Sequence, residues 1–160
     1  MSTKDAPIPK APKIRGQMAH FAIVRAPYYQ EIVGNLMKGA IDIVLNAGAT
    51  YEVIDVAGAF ELPQAIRMLL RSNRKFDAYV ALGCIIRGET DHYEFISRST
   101  MDGIMNVALN FGLCLGTGLL TCDTREQAEA RAQLDGFNKG AEAAVAAVMQ
   151  LGIQQRYGVS

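Results

Sequence analysis

The chain has 160 residues, half of them hydrophobic, and its formal net charge at pH 7 is zero. This length and apolar content are typical of one domain with a sizeable core, and the balanced charge argues against nucleic-acid or anionic-membrane partners. The longest apolar stretches are strand-sized or interrupted by polar residues, so we expect no transmembrane helix. Because the N-terminus also lacks the apolar core of a signal peptide, we expect a cytoplasmic protein.

The cysteines and histidines suggest neither disulfides nor a metal site. Cys84, Cys114 and Cys122 are odd in number and lie in or beside apolar segments, which favours reduced, buried thiols. His20 and His92 are far apart in the chain, and no CxxC motif accompanies them. We therefore predict that the protein binds no metal.

Residues 1–17 form a predicted N-terminal arm, and residues 18–160 form the predicted domain. The arm has three prolines and four basic residues but no hydrophobic periodicity, so it cannot fold alone. It either lies on a neighbouring subunit as an extended segment or frays as an ordinary terminus. The prolines and basic residues are Pro7, Pro9, Pro12, Lys4, Lys10, Lys13 and Arg15.

The first half of the domain alternates strand and helix patterns. Residues 19–24 predict a strand, and an apolar stripe of period near 3.6 then predicts a helix that ends at Gly48. A second strand is predicted at residues 51–56, followed by a turn and a helix with Pro63 near its start. The stripe of the first helix consists of Ile32, Val33, Leu36, Met37, Ala40, Ile41, Val44 and Leu45.

The second half repeats this alternation. A third strand is predicted at residues 79–86, a helix at about 94–110, a fourth strand at 116–122, a helix start at residues 123–126, and a last helix from Asn138. We expect the helix after the third strand to direct six residues inward: Phe95, Ile96, Met101, Ile104, Met105 and Ala108. On the last helix we expect five on one face: Ala141, Ala144, Val145, Val148 and Met149.

Four alternations of strand and helix predict right-handed βαβ units and a parallel sheet. The fold class is therefore α/β, a single-domain three-layer sandwich. We expect a four-stranded parallel sheet in the flavodoxin-like order 2-1-3-4, with helices on both faces.

Polar side chains follow the predicted strands where each strand ends. Tyr28 follows the first strand, Glu61 the second, and Glu89, Thr90 and His92 the third. The carboxyl ends of parallel strands share one edge, where ligands bind, so these side chains are expected to face a single cleft. Individually, Tyr28 also fits an ordinary surface aromatic, and Glu61 a carboxylate that complements a helix dipole.

Several spaced motifs, in order along the chain, resemble the lumazine synthase family (6,7-dimethyl-8-ribityllumazine synthase). The segment GAFE at residues 58–61 is followed by ALGCIIRGETDHY at 81–93 and LTCDT at 120–124. Gln127, Ala128, Arg131 and Ala132 come next, and Asn138, Lys139 and Gly140 complete the pattern. The resemblance runs from about Phe21 to the last helix.

This resemblance implies the penultimate step of riboflavin synthesis. The enzyme would condense 5-amino-6-(D-ribitylamino)uracil with 3,4-dihydroxy-2-butanone 4-phosphate, releasing phosphate and water. The first substrate supplies its own amine, so the reaction requires no enzyme lysine, metal or redox cofactor. It requires proton transfer, a task suited to a group that titrates near neutrality, and we assign it to His92.

The resemblance also implies substrate contacts. Tyr28 matches the aromatic that stacks on the pyrimidine ring, and the ribityl side is matched by Ala59, Phe60 and Glu61. The positions that read the uracil edge with mainly backbone groups are matched by Cys84, Ile85 and Ile86.

On the phosphate side, Glu89 and Thr90 match the binding loop, and Arg131 matches the arginine whose guanidinium holds the phosphate. Lys139 and Glu142, three residues apart on one helix face, match supporting positions. Arg87 is either a ligand or a solvated loop charge. Thr117 stands where the family usually has an aromatic from across a subunit interface.

The resemblance implies a homopentamer with sites between subunits. Residues 133–137 differ from the connection that is common in shell-forming members, and the prolines stiffen the arm. We therefore expect free pentamers, or at most face-to-face pairs, rather than an icosahedral shell.

Two other functions compete with this interpretation. A noncatalytic lumazine- or riboflavin-binding protein of the same fold is the main alternative, but a carrier of a product without phosphate needs neither His92 nor Arg131. A flavodoxin or receiver domain is suggested only by the order of elements. The first strand is followed by neither an acidic cluster nor a hydroxyl-rich phosphate loop.

Overall fold

The computed structural model describes residues 8–158, in which four strands alternate with helices. The strands are β1 (His20–Arg25), β2 (Thr50–Asp55), β3 (Ala78–Ile86) and β4 (Leu115–Cys122). The helices are α1 (Gln30–Ala47), α2 (Leu62–Leu69), α3 (His92–Phe111), α4 (Arg125–Glu129) and α5 (Lys139–Tyr157), with a 3-10 turn at Ala59–Glu61. In this described part of the chain, no helix is long and apolar enough to cross a membrane.

The strands form one parallel sheet in the order β2-β1-β3-β4. Arg25 at the end of β1 pairs with Asp55 of β2 and with Leu82 of β3, while Ile86 at the end of β3 pairs with Cys122 of β4. The strands therefore run side by side with their carboxyl ends at one edge. The predicted fold class and strand order are confirmed.

Successive residues of the strands contribute to two hydrophobic layers, one on each face of the sheet. Phe21 and Ile23 of β1 pack with buried residues of α1 and α5, whereas Ala22 and Val24 pack on the other face with α2 and α3. β3 is buried along almost its whole length because it lies inside the sheet with helices over both faces.

Glycine is required where α5 crosses α1. A Cβ atom at Gly140 would collide with the carbonyl oxygen of Leu36, so the two helices approach closely only because this position has no side chain. This contact sets the position of the α5 N-terminus, where Lys139 and Glu142 lie.

The predicted inward face of α3 is partly wrong. Ile104 is buried, but Phe95, Met101 and Met105 are exposed, at 70%, 39% and 59%. The helix has two apolar stripes, and only the one that includes Thr100, Ile104 and Val107 faces the core. Hydrophobic periodicity marks both stripes without showing which one the sheet covers. Leu45, in the predicted stripe of α1, and Met149, on the predicted apolar face of α5, are also exposed.

The described part of the predicted arm, from residue 8 to residue 17, packs on its own subunit. The backbone N–H of Ile14 donates to the carbonyl of Ala47 at 3.0 Å, and the side chains of Ala11 and Ile14 pack against the α1 and α5 core. Lys4 and Pro7 of the predicted arm lie outside the described residues.

Candidate functional site

A cleft of about 550 Å³ opens at the carboxyl ends of β1, β2 and β3. Such an edge is where parallel sheets bind ligands, because loops and helix N-termini converge there. Eight of the predicted site residues line this cleft: Tyr28, Ala59, Phe60, Glu61, Cys84, Ile85, Ile86 and His92. The other lining residues are Tyr29, Ala57, Gly58 and Ile96.

Two tyrosines after β1 form an aromatic corner of the cleft. Ala26 extends the ladder by donating its N–H to the carbonyl of Leu82 at 2.9 Å, and Pro27 then ends the strand. The rings of Tyr28 and Tyr29 meet edge to face, with centroids 5.2 Å apart. The side chain of Tyr28 is 76% exposed, so its ring can stack on a flat ligand.

The 3-10 turn after β2 places a carboxylate and an aromatic ring at the cleft. Glu61 donates its N–H to the carbonyl of Gly58 at 3.2 Å, and a Cβ atom at Gly58 would lie 3.2 Å from Glu61 Oε2. The carboxylate therefore folds back over the turn. Phe60 is half-exposed beside it. This arrangement suits a ligand with both hydroxyl groups and an apolar edge.

The end of β3 forms the cleft floor. Cys84 is 5% exposed, and burial, with a smaller contribution from nearby Cys122, raises the pKa of its thiol to about 12. The thiol is therefore protonated at neutral pH and is a poor nucleophile. Ile85 and Ile86 contribute apolar surface, so the polar groups at this floor come chiefly from the backbone.

His92 is the first residue of α3, two residues before the predicted start of that helix. Its backbone N–H points at the hydroxyl oxygen of Thr90, 3.4 Å away. Thr90 and Glu89 are exposed on the loop that precedes His92, at the rim of the cleft rather than among its lining residues. This loop therefore places the Thr90 hydroxyl beside the backbone of His92 at the start of α3.

Four predicted site residues lie elsewhere in the subunit. Thr117 lines a separate groove of about 410 Å³ between α3 and β4. Arg131 follows α4, and its Nη1 donates to the carbonyl of Gln127 at 2.8 Å. Lys139 donates its backbone N–H to the carbonyl of Arg131 at 2.9 Å, and its ammonium group lies 2.6 Å from Glu142. Arg131, Lys139 and Glu142 thus form a second polar group beyond the end of β4.

Four cleft residues were not predicted from the sequence. Ile96 lies one helical turn after His92 on the same face of α3, so the i, i+4 spacing could have predicted that it lines the cleft. Tyr29, Ala57 and Gly58 adjoin predicted positions in the same turns. The sequence gives no pattern that separates lining residues from their neighbours in such turns.

Comparison with known proteins adds an independent observation. The family model for 6,7-dimethyl-8-ribityllumazine synthase matches residues 18–155. The proteins of that name from Bartonella tribocorum and Nitrobacter hamburgensis are 40% and 39% identical to this chain, over 87% and 94% of its length and 92% and 94% of theirs. The one from Sphingopyxis alaskensis is 43% identical over 89% of this chain and 99% of its own length. The chain belongs to the 6,7-dimethyl-8-ribityllumazine synthase family.

Proposed function

We propose that the protein condenses 5-amino-6-(D-ribitylamino)uracil with 3,4-dihydroxy-2-butanone 4-phosphate to give 6,7-dimethyl-8-ribityllumazine, the penultimate step of riboflavin biosynthesis. The observation that carries this proposal is the cleft itself. It combines an exposed aromatic ring, a carboxylate and a histidine at three neighbouring elements of a chain that belongs to this family.

The pyrimidine substrate is assigned to the cleft lined by Tyr28 and the end of β3. The exposed ring of Tyr28 offers a stacking surface for the uracil, and backbone groups at Cys84, Ile85 and Ile86 would bond its edge. The ribityl chain is assigned to the 3-10 turn, where the Glu61 carboxylate accepts hydrogen bonds from hydroxyl groups. The cavity volume of about 550 Å³ is in the range of small-molecule sites.

The phosphate of the second substrate is assigned to the loop before α3. Residues 88–91 are exposed there, and the helix that follows directs its positive dipole end at this loop. Thr90 would donate its hydroxyl, and Glu89 its backbone N–H with the carboxylate turned to solvent. A side-chain contact with the phosphate is excluded for Glu89, since two negative groups would repel each other.

His92 is assigned the proton transfers. The pyrimidine amine attacks the butanone carbonyl, and the resulting carbinolamine loses water to form an imine. Phosphate then leaves and the ring closes with loss of a second water. Each step moves a proton between nitrogen, carbon and oxygen atoms, which an imidazole beside the cleft can accept and return. The substrates themselves supply the reacting groups, so we propose no cofactor.

We propose that the active unit is a homopentamer in which a neighbouring subunit completes the site. Arg131 and Thr117 do not line the cleft of their own subunit. The outer stripe of α3, formed by Phe95, Met101, Met105 and Leu109, is apolar and exposed in the single chain. An apolar patch of this kind is typical of a subunit interface. In the proposed contact, β4 of one subunit lies beside the cleft of the next subunit. Such a head-to-tail contact, repeated by rotation, closes into a ring.

A cytoplasmic location is also proposed. The three cysteines, all within residues 8–158, are free and buried, as is usual in a reducing compartment.

The decisive experiment mixes the purified protein with both substrates. We expect the lumazine chromophore to appear and inorganic phosphate to be released in equal amounts. Binding of lumazine without turnover would instead identify a carrier with the same fold. Absence of both turnover and binding would overturn the proposal.

A further inference from the structure

Arg87 is the first residue after β3 and begins the loop that leads to His92. Its backbone N–H donates to the carbonyl of Cys122 at 2.9 Å, which extends the pairing of β3 with β4 by one residue. The backbone of Arg87 is therefore fixed to the sheet, whereas residues 88–91 beyond it are exposed.

The Arg87 side chain joins the sheet to the first turn of α3. Its Nε donates to Asp123 Oδ1 at 2.8 Å, just beyond β4, and its Nη1 donates to Glu94 Oε1 at 2.7 Å. The guanidinium carbon also lies 4.1 Å from the centre of the Tyr93 ring, a cation–π contact. Tyr93 and Glu94 directly follow His92 in the chain. One planar group therefore contacts both sides of the connection that carries the imidazole.

The start of α3 has few other polar restraints. Asp91 occupies the N-cap position but makes no side-chain cap hydrogen bond with any residue from 8 to 158, and the His92 N–H is 3.4 Å from Thr90. A helix without a side-chain cap loses stability in its first turn. The hydrogen bonds to Asp123 and Glu94 raise the pKa of Arg87, so the guanidinium stays charged.

We propose that Arg87 is a positioning residue that holds the first turn of α3 against the end of the sheet and thereby fixes the imidazole of His92 at the cleft. Arg87 is not among the residues that line the cleft, and its Nε and Nη1 are already occupied by carboxylates. The catalytic consequence of this clamp rests on the proposed function. The clamp itself can be measured without any substrate.

Amide hydrogen exchange tests the clamp directly. Glu94 and Phe95 donate their N–H groups to the carbonyl of Asp91 at 3.1 and 3.4 Å, so these two amides report opening of the first turn. In Arg87→Ala we expect them to exchange about ten-fold faster or more, because local opening becomes less costly. The matched control is Arg74→Ala, which removes another exposed arginine–carboxylate pair, with Glu52, and should leave both rates unchanged. Unchanged exchange in Arg87→Ala would overturn the clamp.

Steady-state kinetics test its consequence. Arg87→Ala should lower kcat about ten- to hundred-fold, the scale on which small misplacements of reacting groups act, while KM for both substrates changes little. Arg87→Lys should restore only part of kcat, because a lysine cannot bond both carboxylates with a planar fork.

Glu94→Gln and Asp123→Asn separate positioning from direct phosphate binding. In the positioning role, each variant removes a charged partner of Arg87 and should lower kcat. If Arg87 were instead a phosphate ligand, the same variants would release the guanidinium and tighten the binding of inorganic phosphate. Tighter binding of inorganic phosphate together with an undiminished kcat would overturn our assignment.

The two proposals fail in different ways. A wild-type protein that forms no lumazine would overturn the proposed function and the kinetic role of Arg87, whatever the exchange data show. An active wild-type protein with normal exchange and normal kcat in Arg87→Ala would overturn the clamp alone.

Discussion

The backbone N–H of His92 lies 3.4 Å from the hydroxyl oxygen of Thr90, so the proposed phosphate loop and the proposed proton carrier meet at one point of the cleft rim. His92→Ala should slow turnover by about ten- to ten-thousand-fold, as expected when a proton-transfer group is removed. Binding of the pyrimidine should remain largely intact, because the Tyr28 ring and the β3 end are unchanged. Rapid-mixing absorbance and calorimetry measure the two effects separately.

His20→Ala is the matched control for this experiment. His20 lies at the opposite end of the sheet, where its Nδ1 is 2.8 Å from the Thr50 hydroxyl. Turnover in that variant should equal the wild-type value as long as the protein stays folded. Undiminished turnover in His92→Ala would remove His92 from the mechanism.

Arg131 is expected to act on one substrate only. Arg131→Ala should weaken binding of the butanone phosphate far more than binding of the ribitylamino pyrimidine, because a guanidinium holds phosphate with two parallel hydrogen bonds. Arg131→Lys should recover part of the loss, since lysine supplies charge without the fork. Separate titrations of the two substrates give the comparison. Arg71, exposed just after α2, provides a control arginine. Equal weakening of the binding of both substrates in Arg131→Ala would mean that Arg131 has a structural role.

The Cys84 thiol should not react in the native protein although it lines the cleft. Burial raises its pKa to about 12 from an ordinary value of 9.0, so the folded state favours the protonated thiol. This contribution to stability is fully present below the ordinary pKa and is lost as the pH rises from there towards the folded pKa. Iodoacetamide at neutral pH, followed by mass spectrometry, should label Cys84 only after unfolding in urea. Native labelling at Cys84 would contradict the buried environment.

Sequence patterns were sufficient to predict the sheet and the cleft. Strand lengths, the stripe that ends at Gly48 and the βαβ alternation predict a parallel α/β sheet, and the expected flavodoxin-like order matches the observed order β2-β1-β3-β4. The rule that strand ends share an edge predicts that Tyr28, Glu61 and His92 face a single cleft, and all three line it. These features depend on local periodicity and on general sheet geometry.

Other features depend on tertiary packing, which the hydrophobic periodicity of the sequence does not reveal. Met101 and Met105 fit the same helical period as Ile104, yet only Ile104 meets the sheet. The partners of Arg87 are 7 and 36 positions away, so its network arises only when α3 and β4 converge. Arg131 and Thr117 come no closer to the cleft within one subunit, because β4 is an edge strand of the sheet.

The outer stripe of α3 is the proposed subunit contact, and the pentamer is proposed from the family resemblance. We expect light scattering to show free pentamers, or at most pairs of them, at all protein concentrations tested. Met105→Glu should dissociate the ring and abolish turnover, because a buried unpaired charge is costly at an apolar contact. Leu45→Glu replaces a similarly exposed apolar residue on α1 and should neither dissociate the ring nor reduce turnover. A shell-sized particle would contradict the predicted size.

Mixing two impaired variants tests the shared site itself. If His92 comes from one subunit and Arg131 from its neighbour, pentamers formed from equal amounts of His92→Ala and Arg131→Ala chains contain some sites with both native residues. With random assembly around a closed ring of heterologous contacts, about one quarter of the sites are intact. Turnover should therefore rise to about one quarter of the wild-type value after the chains are unfolded and refolded together, while each variant refolded alone keeps its own reduced turnover. If both residues served the same subunit's site, no mixed site would be intact and turnover would not recover.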